Sequence, residues 1–570
     1  MSTRTPTFIK KDSLNCVNLV KFYINKILNQ NKKKNEYFML MLDDKTSDII
    51  SVIYNMRKLI ETNIVSALNI KNKIESKYNF KAIIFITPTY ENINLLTNEL
   101  SKPNFTEYYL FFSSEISDIS LEKIAISDTS NLVKSVIEFN CEFIALSSLL
   151  FTLNLDYNPI MSIENIHNDK IRKYNEQIIL SLTNFLLSAR IKPDICFSPL
   201  IESSRIISNG LIDTIKSKQE IFHFASNKES SLLLLLDRCQ DPITPLLTKW
   251  TYQSMIHELI ELKNNICTFE STGKTLTFPV SESDDPFYSA SMYSNYGFFC
   301  GLINKYVEDL NKEKKGLVVS NDIDEMRKTI QALPEITKKT ENMNKHMSVI
   351  AKLVDIVTQR NLIKISEIEQ KCIKEGNIAE DFKALSELIM TTSVNNHDIL
   401  KLALIYILRH ETKKDVKIEE IKKMLLLRGI NTSDIKIIDL MLKYCGNKTK
   451  KNDLFSSSML YDKFTGIFDT SEETINILTQ NKPFVCDIIE QIAKNKLNDS
   501  KYVIEKLNPI NTGKIGSHTY SKIIIFMIGG CSFEEVVKLQ VMQSKLPFEI
   551  VIGGTTVVNA QQFMNNILNS

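Results

Sequence analysis

The chain has 570 residues, of which 43% are apolar, 24% charged and 9% aromatic; at roughly 150 residues per domain, that is enough for about three or four packed units. Its 69 lysines and arginines against 67 aspartates and glutamates leave a formal charge of +2, which excludes a chain-wide electrostatic grip on nucleic acid or acidic lipid. The longest apolar runs, Leu232 to Leu236 and Leu402 to Leu408, are far shorter than the roughly 18 residues of a membrane span. Met1 to Lys11 has no apolar signal core, so a cytoplasmic protein is expected.

The first elements alternate in type. Tyr37 to Leu42 is an apolar run closed by Asp43-Asp44, after which Thr46 reads as the cap of a helix through Ile60. Ala82 to Ile86, stopped by Thr87-Pro88, and Tyr108 to Phe112, stopped by Ser113-Ser114, repeat the pattern. Continuous apolar runs between helices suit a parallel sheet covered on both faces, because each strand must meet apolar side chains above and below. Residues 1–140 are therefore read as one α/β domain.

A helix over Ile171 to Leu187 leads to two further runs, Ile195 to Ser198 and Leu232 to Leu236. The pattern returns near the C-terminus: Ile523 to Ile528 before Gly529-Gly530, a helix over Phe533 to Met542, then Ile550 to Ile552 before Gly553-Gly554. Residues 141–236 and 497–570 read as a split α/β domain, and the largely helical 237–496 as an insertion into it. The fold class is thus α/β with a large α-helical insertion.

Within the insertion, Asn311 to Gly316 reads as a polar loop. Ile336, Met343, Met347, Ile350, Val354 and Val357 recur in a near-heptad seam, which either packs as ordinary core or faces a partner helix. The lysine clusters Lys32 to Lys34 and Lys448 to Lys451 read as solvated surface. Ten cysteines stand singly, without C-x-x-C pairs or matched histidines, and read as small core hydrophobes in a reducing compartment.

The sharpest local feature is the apolar strand ending in Asp237, Arg238, Asp241, Pro242 and Pro245. Strand ends of α/β folds hold catalytic groups, and Asp237 with Asp241 has the oxygen chemistry for Mg²⁺ in a nucleotide-using enzyme. No phosphate-cradling glycine loop accompanies them. The competing reading has Asp237 and Arg238 satisfying one another or nearby backbone at a sheet edge, with the prolines fixing a sharp turn. Trp250 would anchor a helix burying Tyr252, Met255, Ile256, Leu259 and Ile260, with His257 on the other side as a packing or surface residue. No catalytic motif, cofactor or metal site emerges.

The segment from Leu236 to Ile260 resembles the signature of the SM family, the Sec/Munc-type regulators of SNARE-driven membrane fusion. Matching blocks continue in order at Met41 to Thr46, Asp284 to Tyr288, Ile525 to Gly530 and Ile550 to Thr556. The last two, with Trp250 to Gln253 and His257 to Leu259, are most similar to the vacuolar-protein-sorting branch that serves endosomes and the trans-Golgi; Cys239 stands where serine is usual. The resemblance implies a three-domain arch, no enzyme activity, and binding to a syntaxin-type SNARE through its N-terminal peptide and helical bundle. It further implies action on the assembled SNARE complex, a Rab-effector tether as another partner, and endosomal or Golgi membranes reached only through partners.

Residue by residue, the family pattern matches Leu121 and Val133 to the apolar lining of a peptide pocket and Glu138 to its acidic member. The alternative is that Leu121 and Val133 pack helices and Glu138 is a surface charge. Pro334 falls at the family's hinge proline in a helical hairpin, with Met343, Met347 and Ile350 on the SNARE-facing surface; the alternative is that Pro334 simply starts a helix.

Overall fold

The computed structural model describes residues 14–28, 36–72, 78–155, 169–224, 230–271, 273–315, 323–450, 481–507 and 520–569. A first sheet has five parallel strands, β1 (Phe38–Leu42), β2 (Ile64–Asn69), β3 (Lys81–Ile86), β4 (Tyr108–Phe112) and β5 (Val133–Glu138), in the order β2-β1-β3-β4-β5. Leu40, Ile83, Phe85 and Phe111 fill one face, while Met39, Met41, Ile84 and Leu110 fill the other. The apolar runs are continuous because these strands are covered twice.

The cap of the first helix after β1 is Asp43, not Thr46. The Thr46 N–H donates to Asp43 Oδ1 at 2.7 Å, and Thr46 Oγ1 accepts the Asp43 N–H at 3.0 Å. This reciprocal pair satisfies two orphan donors. The helix stops at Ser51, and Asn55 caps a separate one, Met56–Ile60.

Strands β6 (Ile144–Ala145), β7 (Leu150–Thr152), β8 (Asp194–Phe197) and β9 (Ser231–Asp237) start a second sheet. The chain then leaves through a small antiparallel sheet, β10 (Glu261–Lys263), β11 (Ile266–Ser271) and β12 (Lys274–Pro279), inside the region expected to be largely helical. It returns as β13 (Val503–Glu505), β14 (Lys522–Ile528) and β15 (Glu549–Gly554), giving seven strands in the order β13-β8-β9-β14-β15-β7-β6. Strand β14 lies parallel to β9, with Ile523 opposite Leu232 and Ile528 opposite Asp237. Strands separated by the whole helical excursion are therefore central neighbours.

The two diglycines serve different needs. Gly529 and Gly530 turn the chain after β14 with φ of +90° and +96°, a region other residues avoid. Gly553 lies within β15, where a Cβ would stand 2.2 Å from the Phe151 ring, so it is there for close packing.

Between the two halves run the helices Tyr296–Lys315, Ile323–Gln359, Leu362–Glu375, Ile378–Met390 and Asn396–His410, followed by shorter ones. The polar run from Asn311, expected to loop, continues the first of these through Lys315; the exposed Lys312, Glu313 and Lys314 are good helix formers. Lys450, expected at the surface, is buried and paired with Glu411 at 2.7 Å, whereas Lys32 to Lys34 lie outside the described residues. All ten cysteines are free and nine are buried. Among the described residues no helix is long and apolar enough to cross a membrane.

Candidate partner-binding surfaces

Strand β5 is an exposed edge of the first sheet. Its pairing with β4 slips once: Tyr108 faces Val133, but Tyr109 faces Ser135. This bulge leaves Lys134 as the extra residue and changes the alternation. Val133, Val136 and Glu138 consequently oppose Tyr108, Leu110 and Phe112, all of which belong to the cluster beneath helix Asp118–Ser127. In a regular strand Val133 and Val136 would point to opposite faces.

Leu121, on that helix, and Val133, on the strand, pack half-buried against this one cluster. Both thus pack on the core beneath the helix, as the alternative reading has it, Leu121 from the helix and Val133 from the strand. Glu138 is exposed, and its Oε1 accepts the Ile116 N–H at 2.9 Å, which fixes the carboxylate at the entry to the helix. Further apolar side chains are exposed on the same two elements: Ile119 at 69% and Ile126 at 70% on the helix, and Val136 at 42% on the strand. Ile119 and Ile126 are seven residues apart on one side of the helix. Their exposure is visible only once the sheet edge is known.

The strand-end signature forms a joint. Asp237 Oδ1 accepts the Cys239 N–H at 2.8 Å and the Tyr444 hydroxyl at 3.2 Å, and Oδ2 accepts the Ser203 hydroxyl. Asp241 accepts Thr244 N–H and Oγ1–H at 3.0 and 2.6 Å, and the Phe484 N–H at 3.0 Å. Carboxylates so fully occupied by backbone and hydroxyl donors cap turns instead of presenting free oxygens to a cation. Arg238 does not pair with Asp237, and β9 is central, not an edge. Its Nη2 donates to both Glu535 oxygens at 2.7 and 2.8 Å, Nε to Gly530 O at 3.0 Å and Nη1 to Asp241 O at 2.9 Å. Burial works against its charge, but Glu535 and Asp241 hold the guanidinium above its ordinary value.

The same joint is stitched to the helical part. Pro242 precedes the short helix Ile243–Leu246 and Pro245 lies in its first turn, where a missing N–H leaves no bond unmade. Thr248 N–H and Oγ1–H donate to Glu369 at 2.8 and 3.0 Å, Lys401 Nζ reaches Thr248 Oγ1 at 2.8 Å, and Trp250 Nε1–H donates to Ser366 at 2.8 Å. Lys249 is buried against the Thr244 carbonyl, and burial lowers its pKa. His257, expected on the far side of its helix, is buried edge-on to Phe533 at 5.0 Å; burial and then Lys249 bring its pKa down to about 4.

Pro334 lies inside the 37-residue helix Ile323–Gln359, not at its start. The C-terminal half of that helix is anchored: His346 bridges Asp285 Oδ2 at 2.8 Å and the Tyr252 hydroxyl at 2.7 Å. The expected seam divides. Ile350, at 8% exposure, and Val357 are core and Met343 is half-buried, whereas Met347 at 47% and Val354 at 37% face outward with Leu333. A step of seven drifts around a straight helix of 3.6 residues per turn, so His346, Val349, Leu353 and Val357 form the inner stripe instead. Ile350 is thus withdrawn from the accessible surface, and Lys339 ties this helix to Glu313 of the preceding one at 3.1 Å.

Residues 38–566 match the model of the Sec1 family. Vacuolar protein sorting-associated protein 45 of Dictyostelium discoideum is 30% identical over 552 residues, covering 96% of this chain and 95% of that protein. The human protein of the same name is 28% identical over 569 residues, covering 98% and 96%. The solved structure of the SM protein Vps45 in complex with the Qa SNARE Tlg2 (1-310) superposes with a TM-score of 0.86 at 25% identity, over 97% of this chain and 98% of that one. Sly1p in complex with an N-terminal peptide of Sed5p shares the fold, with a TM-score of 0.75 at 19% identity over 98% of each chain.

Proposed function

Because this chain belongs to the Sec1 family, we propose that it binds a syntaxin-type Qa SNARE and promotes SNARE assembly in vesicle docking and fusion, on the route between endosomes and the trans-Golgi. The observation that carries the reading is full-length similarity to the Vps45 solved with a Qa SNARE, at a TM-score of 0.86. The chain works as a binding protein and not as a nucleotide-using enzyme; the oxygens of Asp237 and Asp241 are taken up by donors of the fold itself.

Two surfaces serve the partner. The bulged edge of β5, with Leu121, Val133 and Val136, takes the SNARE's N-terminal peptide, and Glu138 attracts a basic group at its rim. Each apolar side chain buried there contributes about 1.5–3 kcal/mol. The outward side of helix Ile323–Gln359, from Leu333 and Pro334 to Met347 and Val354, meets SNARE helices; proline without its N–H is the natural place for that arm to bend. The working division is 1–140, 141–236 with 497–570, and 237–496, supported by the strands each sheet recruits. Membrane is reached through these partners.

The test is assembly of the SNARE complex from purified Qa, Qb, Qc and R components of the same cell, with and without this protein. Faster assembly and a stable complex with the Qa SNARE are expected. Unchanged assembly together with no Qa binding would refute the reading.

A further inference from the structure

Three helices of the insertion bring a thiol, a carboxylate and an imidazole together in the interior. Cys372 lies in the last turn of helix Leu362–Glu375, Asp381 in the first turn of helix Ile378–Met390, and His410 closes helix Asn396–His410. All three are buried, and one ligand-type atom from each lies within 4.8 Å of the others. His410 Nε2 is 2.8 Å from Asp381 Oδ2. Their separation along the chain hides them from any spacing motif.

This cluster is incompletely satisfied as a plain hydrogen-bond network. His410 Nδ1 has no partner, and neither has the hydroxyl of Tyr406. Tyr406 is 1% exposed, and its ring centroid lies 5.0 Å from that of His410. Buried polar atoms left unpaired are costly and call for an explanation such as an ion. The Cys372 sulfur is a soft donor that takes a cation in place of its proton. Arg409 and Lys413, the nearby cations, donate to the carbonyls of Ile373 at 3.1 Å and Gly376 at 2.7 Å.

We propose that Cys372, Asp381 and His410 form a buried site for a divalent cation of the zinc class, completed by the Tyr406 hydroxyl or a water, which pins three helices of the insertion together. Sulfur, nitrogen and oxygen donors together select zinc over magnesium or calcium. The charge balance suits an interior: a thiolate, a carboxylate and a neutral imidazole cancel the two charges of the ion, and binding releases the thiol proton to solvent. The cation adds to the links that His410–Asp381 and Arg409–Ile373 already make between these helices, and its binding energy becomes folding energy of this region.

The experiment measures zinc in the full-length protein purified without chelator, and the thermal shift on adding Zn²⁺ to protein stripped by chelation. Co²⁺ added to the stripped protein reports sulfur ligation as thiolate-to-cobalt absorption in the near ultraviolet. About one zinc per chain, an upward thermal shift and the cobalt band are expected, with all three lost in Cys372→Ala and weakened in His410→Gln. Circular dichroism of Cys372→Ala checks its folding. If that variant is unfolded, the wild-type cobalt band decides by itself. Wild-type protein with no zinc, no shift and no band would overturn the proposal, as would a folded Cys372→Ala that keeps its zinc.

Discussion

Arg238 and Glu535 face each other with both side chains 0% exposed, although 297 residues separate them. Arg238 directly follows Asp237, the last residue of β9, and Glu535 sits in the first turn of the helix after β14, in a capping box with Ser532. The pair therefore closes the second sheet across the whole helical excursion. Removing one member of a buried ion pair leaves the other uncompensated, which costs about 3–5 kcal/mol.

Glu535→Ala is accordingly expected to destabilise the protein by about 3–5 kcal/mol, with Arg238→Met/Glu535→Leu recovering a large part of the loss. Urea unfolding followed by tryptophan fluorescence reads this directly, because the single tryptophan, Trp250, is buried in the same joint. Equal stability of the single and double variants would contradict the account of the joint.

Gly553→Ala drives a Cβ into the Phe151 ring. Overpacking of this kind costs about 1–3 kcal/mol. Phe151→Leu alone should also destabilise, yet the double variant should be less affected than the sum of the two. A strictly additive pair in thermal unfolding would show that the close approach is not what glycine is there for.

Low pH should weaken the fold through His257. Its folded pKa of about 4 lies below the unfolded value of about 6.5. Between these values the unfolded chain binds the extra proton, so stability falls as pH drops from about 6.5 to 4 and levels off below. The contribution is at most about 3 kcal/mol. His397, likewise lowered to about 4 by burial, adds in the same direction. His257→Gln should flatten the curve in that window relative to wild type; an unchanged slope would rule His257 out as its source.

How far the sequence could be read followed from burial. Strands β1, β3, β4, β9 and β14 stood out as unbroken apolar runs because both faces are covered. Strand β5 did not, since this edge strand alternates half-buried with exposed residues and shows no continuous apolar run. The Asp237 to Trp250 segment was conspicuous, but its partners Glu369, Ser366, Lys401 and Glu535 lie more than a hundred residues downstream, beyond any local pattern. The seam over Ile336 to Val357 was right in being amphipathic and wrong in phase, because apolar residues also sit on its outer side. Cys372, Asp381 and His410 meet only in three dimensions.

The central claim, a peptide-binding edge on a Qa-SNARE-binding protein, is tested most directly by calorimetric titration with N-terminal peptides of the Qa SNAREs of the same cell, using wild type and Val136→Arg. Val136 is 42% exposed on the edge strand, so the variant should keep its unfolding temperature. The account predicts saturable binding of one peptide by the wild type and at least about tenfold weaker binding by Val136→Arg, a loss of about 1.4 kcal/mol or more. Equal affinity of that peptide for both proteins would contradict it.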